Sequence, residues 1–191
     1  MTKGRLEAFS DGVLAIIITI MVLELKVPHE PKFEALLPLW PVLLSYLLSF
    51  VYLGIYWNNH HHLLHAAQHV DGRVLWANLH LLFWLSLLPF VTAWMGETGF
   101  QGVPVLAYGL DLLLAAVAYF ILVRALIARH GDASTLARAI GSDFKGRLSM
   151  ALYAVAVAAS LIDPRVSLAL YVVVAVLWLV PDRRIERTLG T

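Results

Sequence analysis

No cysteine occurs among the 191 residues, so disulfides, thiolate metal sites and a cysteine nucleophile are excluded. Charge is scarce as well. Asp, Glu, Lys and Arg make up 14% of the chain, where a soluble domain carries about 25%. Catalytic signatures are missing: there is no GxSxG, no HExxH and no Gly-rich phosphate loop. So are two familiar channel devices, the TVGYG potassium filter and the arginine-studded helix of a voltage sensor. No polar segment is long enough for a soluble domain. Any function must lie among helices, and an enzyme is not expected.

What fills the chain instead is apolar, 60% of residues with a mean hydropathy of +0.77. This composition is that of an all-α integral membrane protein with room for roughly five to seven spans. Hydropathy places six, at about 6–26, 39–60, 74–95, 104–128, 147–162 and 165–181, as one unit covering 1–191. Lys3 and Arg5 before an apolar run resemble the start of a signal peptide. No small-x-small cleavage pattern follows Leu23 and further spans come after, so the first helix is read as uncleaved. The last two spans are short, and flanking arginines are expected to snorkel to complete them.

Six spans put both termini on one side. That side carries Lys3, Arg5, Arg73, Arg124, Arg129, Arg138, Lys145, Arg147, Arg183, Arg184 and Arg187, against Lys26, Lys32 and Arg165 opposite. The positive-inside rule then makes both termini cytoplasmic in a multi-pass protein of the inner (plasma) membrane. The net charge of +1 gives no reason to expect a nucleic-acid partner.

Five histidines crowd the end of the second span. His61, His65 and His69 fall at i, i+4 and i+8, with His60 and His62 beside them. Imidazoles at this spacing can bind zinc or iron, but a metalloenzyme also needs carboxylates or histidines converging from elsewhere, and only Asp71 and His80 are near. A hydrogen-bonding cluster at the interface is preferred, with no metal and no cofactor. Asp111 in the fourth span reads equally well as a proton or ion relay and as an aspartate bonded to a neighbouring helix. Most tryptophans (Trp40, Trp57, Trp76, Trp94, Trp178) sit near span ends, as interfacial aromatics do.

The first helix is the most informative stretch. Ser10, Asp11, Gly12, Thr19 and Glu24 interrupt an otherwise apolar run, and a lipid-facing anchor has no use for them. At about 100° per residue, Gly12, Ile16, Thr19, Ile20, Leu23 and Val27 share one stripe, while Ser10 and Asp11 flank it and point at other protein. Arg5 and Asp11 are too far round the helix to pair with each other. Each needs partners elsewhere, and Trp57, His61, Asn78 and His80 are the candidates.

Arg5-x-x-x-Phe9-Ser10-Asp11, followed by GVLAIIITIMVLE, resembles the signature of the potassium-channel family typified by lysosomal transmembrane protein 175. The resemblance extends to the six-span layout, the His-rich end of the second span, and the NLH and PFVT patterns of the third. A single RxxxFSD copy is similar to the bacterial form, which the family assembles as homotetramers. The resemblance implies a potassium-preferring cation channel whose first helix lines a central pore, with potassium as the permeant ion and the bilayer as its setting. It places the narrowest ring at Ile16, with Ile20 and Leu23 as further apolar rings and Thr19 as a hydroxyl layer. A histidine-cluster metalloenzyme and a secondary transporter are the alternatives. The latter would show internal repeats and broken helices, for which Pro89 is the sole candidate.

Overall fold

The computed structural model describes residues 2–131, 134, 137–138 and 143–179. Arg183, Arg184 and Arg187 and the end of the sixth expected span lie outside the described residues, as does part of the basic segment before the fifth.

Among the described residues the regular structure is helical. The helices are α1 (Lys3–Leu23), α2 (Trp40–Ala66), α3 (Gly72–Glu97), α4 (Gly102–His130), α5 (Phe144–Ala159) and α6 (Pro164–Leu179), with a short 3-10 helix, Phe33–Leu39, leading into α2. Each boundary has a local cause. Pro41 sits in the first turn of α2, where its missing N–H is not needed. The Asp71 carboxylate caps α3 by accepting from the Val74 N–H at 3.0 Å. Gly131, at φ 86°, ends α4 in a conformation that side chains rarely adopt. Gly99 and Phe100, both at positive φ, form the tight turn between α3 and α4.

Among the described residues, four helical stretches are long and apolar enough to cross a membrane: α1; the Phe33–Ala66 stretch, which contains α2; α3; and α4. The final pair, α5 and α6, have 16 residues each, about 24 Å at a rise of roughly 1.5 Å per residue. Helix α2 continues to Ala66 and so carries His60, His61, His62 and His65, whereas His69 lies beyond its end and does not share the helix face of His61 and His65.

The packing is layered. α3 lies between α1, α2 and α4; the α5–α6 hairpin packs on α4, and α6 also touches α2. Buried hydroxyls tie these layers together. Ser49 of α2 shares hydrogen bonds with Thr92 of α3 (2.7 Å) and Tyr108 of α4 (3.0 Å). The Tyr52 hydroxyl donates to the Tyr171 carbonyl (2.6 Å), and the Tyr171 hydroxyl donates to the Val105 carbonyl (3.0 Å). Tyr171 reaches α4 because position 109 is glycine; a methyl group there would overlap its hydroxyl. Asp111 is buried, yet neither carboxylate oxygen has a hydrogen-bond partner among the described residues, so it bonds none of the neighbouring helices described. The core of the subunit therefore runs through α3 and α4, and α1 lies at its edge. Only 28% of the apolar stretch of α1 is buried, against 50% of that of α3.

Candidate functional site

The buried residues of α1 are Leu6, Ser10, Leu14, Ile17 and Met21. They recur at i, i+4, i+8, i+11 and i+15, the pattern of one helix face laid against a neighbour. Ser10, the polar member of that face, is fully buried and anchored by a directional chain of hydrogen bonds. Its hydroxyl donates to the Leu6 carbonyl at 2.8 Å and accepts from the Asn78 amide at 2.9 Å. The Asn78 oxygen pairs with His60 Nε2 at 2.7 Å. With the amide NH2 already committed to Ser10, the oxygen faces His60, and Nε2 must carry the proton. Three helices are stitched together by groups that each have a partner, which hydrocarbon surroundings require.

Asp11, one residue on, is exposed within the subunit and accepts from Trp57 Nε1 at 3.0 Å. His61 stacks on Trp57 (centroids 6.1 Å apart) and His65 stacks on His61 (6.1 Å). Lys3 Nζ reaches the His65 carbonyl at 3.3 Å, a cation at the carbonyl end of α2. The start of α1 is thus held to α2 at Lys3 and Asp11, and to α3 through Ser10.

The candidate partners divide. Trp57 meets Asp11, Asn78 meets Ser10, and His61 backs Trp57 without touching the motif. His80 stands apart on the exposed side of α3, where its Nε2 accepts from Trp84 of its own helix at 2.9 Å. Arg5 is exposed, and its side chain has no partner among the described residues; Phe9 is exposed too. The participant missed from the sequence is His60. It was signalled by the buried face of α2, where Ser45, Ser49, Leu53, Tyr56, His60 and Leu64 recur at helical spacing. Among the described residues, no three His, Asp or Glu side chains are grouped as metal ligands. Nearer α4, His130 Nε2 accepts the backbone N–H groups of Gln68 (2.9 Å) and His69 (3.2 Å), a structural use of imidazole.

The other side of α1 is uncovered. Gly12, Ile16, Thr19, Ile20 and Leu23 are all exposed, Ile16 at 58% and Leu23 at 81%. Thr19 donates its hydroxyl to the Ile16 carbonyl at 2.8 Å, so its proton is engaged while its oxygen lone pairs stay free. Beside this stripe runs a second one, of small residues: Gly4, Ala8, Gly12 and Ala15, all exposed. A methyl group added at Gly4 or Gly12 would meet nothing within 4 Å inside the subunit. The small-xxx-small spacing of Gly4, Ala8 and Gly12 was visible in the sequence and is the usual mark of close helix approach in membranes. The exposed residues of α2, by contrast, include Trp40, Leu44, Leu47, Phe50 and Trp57, a bulky surface of the kind lipid covers.

Known proteins resemble this chain. The family described as the endosomal/lysosomal potassium channel TMEM175 matches residues 5–89, which contain the RxxxFSD stretch, Trp57, His60 and Asn78. A potassium channel of Chryseobacterium sp. (strain P1-3) is 53% identical over 189 residues, covering 99% of this chain and 98% of that one. This chain belongs to the TMEM175 family. The crystal structure of a lysosomal potassium-selective channel TMEM175 homolog from Chamaesiphon minutus matches with a TM-score of 0.79 at 34% identity, covering 93% of this chain and 96% of that one. The endosomal/lysosomal proton channel TMEM175 of Gallus gallus is 40% identical over 75 residues, 33% of this chain and 15% of the chicken protein.

Proposed function

We propose that four copies of this TMEM175-family chain assemble around an axis as a potassium-preferring cation channel, with α1 of each copy lining the pore. The observation that carries this reading is the uncovered side of α1, an edge helix with one buried face, one stripe of small residues and one stripe of isoleucine, leucine and threonine. A helix beside a rotation axis has three neighbours: its own subunit, the adjacent copy and the axis. Leu6, Ser10, Leu14, Ile17 and Met21 serve the first. Gly4, Ala8, Gly12 and Ala15 suit close approach by the second. Ile16, Ile20 and Leu23 would then face the axis as stacked apolar rings about 4.5–6 Å apart. The names borne by the Chryseobacterium relative and the Chamaesiphon homolog support potassium as the ion.

The chemistry follows from the side chains. Isoleucine offers no oxygen in exchange for an ion's water, so a ring at Ile16 closes by dewetting after a small inward movement. One turn on, Thr19 presents lone pairs from four copies, which favours the more weakly hydrated potassium over sodium. Arg5, without a side-chain partner among the described residues, would pair across to the adjacent copy. No cofactor and no chemical step are involved. The distribution of basic residues supports cytoplasmic termini, with the plasma membrane as the channel's setting in this reading.

The deciding experiment is flux from liposomes holding the purified protein, with potassium, sodium and caesium compared in chelator. Potassium flux well above roughly a thousand ions per second per molecule, faster than typical turnover, and insensitive to replacing His61, His65 and His69, is expected. Flux that needs added metal would favour the metalloenzyme, and slow saturable flux a transporter. Single cysteines at Gly99 and Gly131 should label from opposite sides of the membrane; labelling from one side would remove the topology.

A further inference from the structure

A long groove runs between α2 and α6 on the side of the subunit away from α1. Its volume is about 790 Å³, and its walls include Trp40, Leu48 and Val51 of α2 with Leu168, Val172 and Val176 of α6. That volume lies in the roughly 300–1,000 Å³ range of pockets that hold organic ligands. From Trp40 to Val51, and from Arg165 to Val176, each wall covers eleven helical steps, about 16 Å. Half of a bilayer's hydrocarbon core is about 15 Å. The groove is therefore as deep as one leaflet and runs along the direction a lipid chain takes.

Its mouth is polar in one place only. Arg165 is the charged residue among the lining side chains, which also include Phe100, whose ring lies 5.5 Å from that of Trp40. The other basic residues at this end of the molecule are already matched by carboxylates: Lys26 Nζ lies 2.6 Å from Glu97, and Lys32 Nζ lies 3.7 Å from Glu30. The exposed Arg165 guanidinium has no side-chain partner among the described residues. Nearby Asp163 accepts the Arg165 backbone N–H at 2.9 Å and not its guanidinium. An unneutralised arginine at the end of an apolar slot of leaflet depth, whose lining includes two interfacial aromatic rings, has the charge and shape of a phospholipid's complement.

We propose that this groove is a binding site for an anionic glycerophospholipid of the leaflet opposite the N-terminus, with one acyl chain between α2 and α6 and the headgroup phosphate on Arg165. The guanidinium offers a planar pair of N–H donors to the phosphate oxygens, while Trp40 and Phe100 hold the glycerol level. The site depends on neither the pore nor the subunit number. It sits on α6, which packs on α2, α4 and α5, away from the helix assigned to the axis.

The test is native mass spectrometry of the full chain in detergent, with phosphatidylglycerol or phosphatidylcholine of identical chains added at equal concentration. Wild type should retain phosphatidylglycerol about fivefold better, the usual effect of one basic residue near an anionic lipid. Arg165→Gln should bring retention down to the phosphatidylcholine level. Lys26→Gln, on the same side but already paired, should leave it unchanged. Val172→Trp, and independently Val176→Trp, at positions 49% and 54% exposed, should lower retention of both lipids by filling the slot. The proposal is overturned if wild type shows no headgroup preference, if Lys26→Gln costs as much as Arg165→Gln, or if both tryptophan variants keep their lipid. A change in subunit number with either tryptophan variant would make the occupant a second copy of the chain and also overturn it.

Discussion

One helix, α1, carries two faces of nearly equal hydrophobicity and opposite fate. The face of Leu6, Ser10, Leu14, Ile17 and Met21 is buried at 3% exposure or less, and its polar member is satisfied by the Leu6 carbonyl and the Asn78 amide. The face of Gly12, Ile16, Thr19, Ile20 and Leu23 is exposed, and its polar member turns its hydroxyl back on its own backbone. Hydrophobicity alone cannot tell them apart. In a membrane, lipid is as apolar as a leucine core, so burial is decided by shape and by polar groups that need partners. Ser10 supplies such a need on one side. Glycine and alanine leave room for close contact on the other.

The sharpest way to break the buried face is Asn78→Leu. It strips His60 Nε2 of its acceptor while leaving Ser10 bonded to Leu6, and a buried unsatisfied donor costs about 1–3 kcal/mol. A loss of about 2 kcal/mol in unfolding stability in detergent is expected. Adding His60→Leu should recover most of it, since both partners are then apolar. Failure of that rescue would show that the chain of bonds is not what anchors α1. On the exposed face, Gly12→Leu should do the reverse. A side chain there meets nothing in the subunit, so subunit folding should survive while the assembled species disappears from mass measurements. A stable tetramer with leucine at this position would remove the small stripe from the interface.

Ile16→Asn comes next. The position is 58% exposed, so stability should change by no more than about 0.5 kcal/mol. Wetting the ring removes part of a dewetting barrier, and a reduction of about 1.4 kcal/mol gives a tenfold rise in potassium leak. Unchanged leak would move the constriction elsewhere. Asp11→Ala should have a milder effect than an ionisable group in a membrane helix suggests. The carboxylate is exposed and loses a single contact, to Trp57, so about 1 kcal/mol of assembly stability is expected. Normal assembly with altered ion preference would transfer Asp11 from scaffold to pore.

Much of this was legible before any coordinates. The spacing of Ile16, Ile20 and Leu23 already placed them on one stripe, and Trp57 and Asn78 were already candidates to meet the motif. The histidines misled because the spacing of His61, His65 and His69 points to one helix face, whereas α2 ends at Ala66 before His69 and its buried face carries His60. Which imidazole enters the core is set by the apolar residues one and two turns earlier, Leu53 and Tyr56, and they select His60. His80 was misplaced for a similar reason: it lies two residues beyond Asn78 and therefore faces away from α1. The bonds of Ser49 with Thr92 and Tyr108 left no trace in the sequence, because each helix contributes one hydroxyl and no spacing links them. Arg5 shows the limit from the other direction. Its charge demanded a partner, and its side chain has none among the described residues.

The smallest effect is expected at Thr19, and it bears most directly on ion choice. Its hydroxyl proton is donated to the Ile16 carbonyl at 2.8 Å, which looks at first like the unremarkable habit of threonine in helices. That bond also fixes the oxygen. With the hydrogen turned toward the helix, the remaining lone pairs point away from it, on the exposed face that carries Ile16, Ile20 and Leu23. Four copies would offer a ring of acceptors with no competing donors, suited to a cation or to the water around it. Thr19→Ala removes the ring and leaves the helix intact. Conduction should persist, and the potassium-to-sodium permeability ratio should fall by about threefold, the worth of one weak polar contact of roughly 0.6 kcal/mol. Thr19→Ser keeps the oxygen and the back-bond and should retain the ratio, whereas Thr19→Val keeps the shape and should lose it. If valine preserves the preference while serine does not, the methyl group and not the hydroxyl tunes the pore, and the selectivity assignment fails while the apolar rings stand.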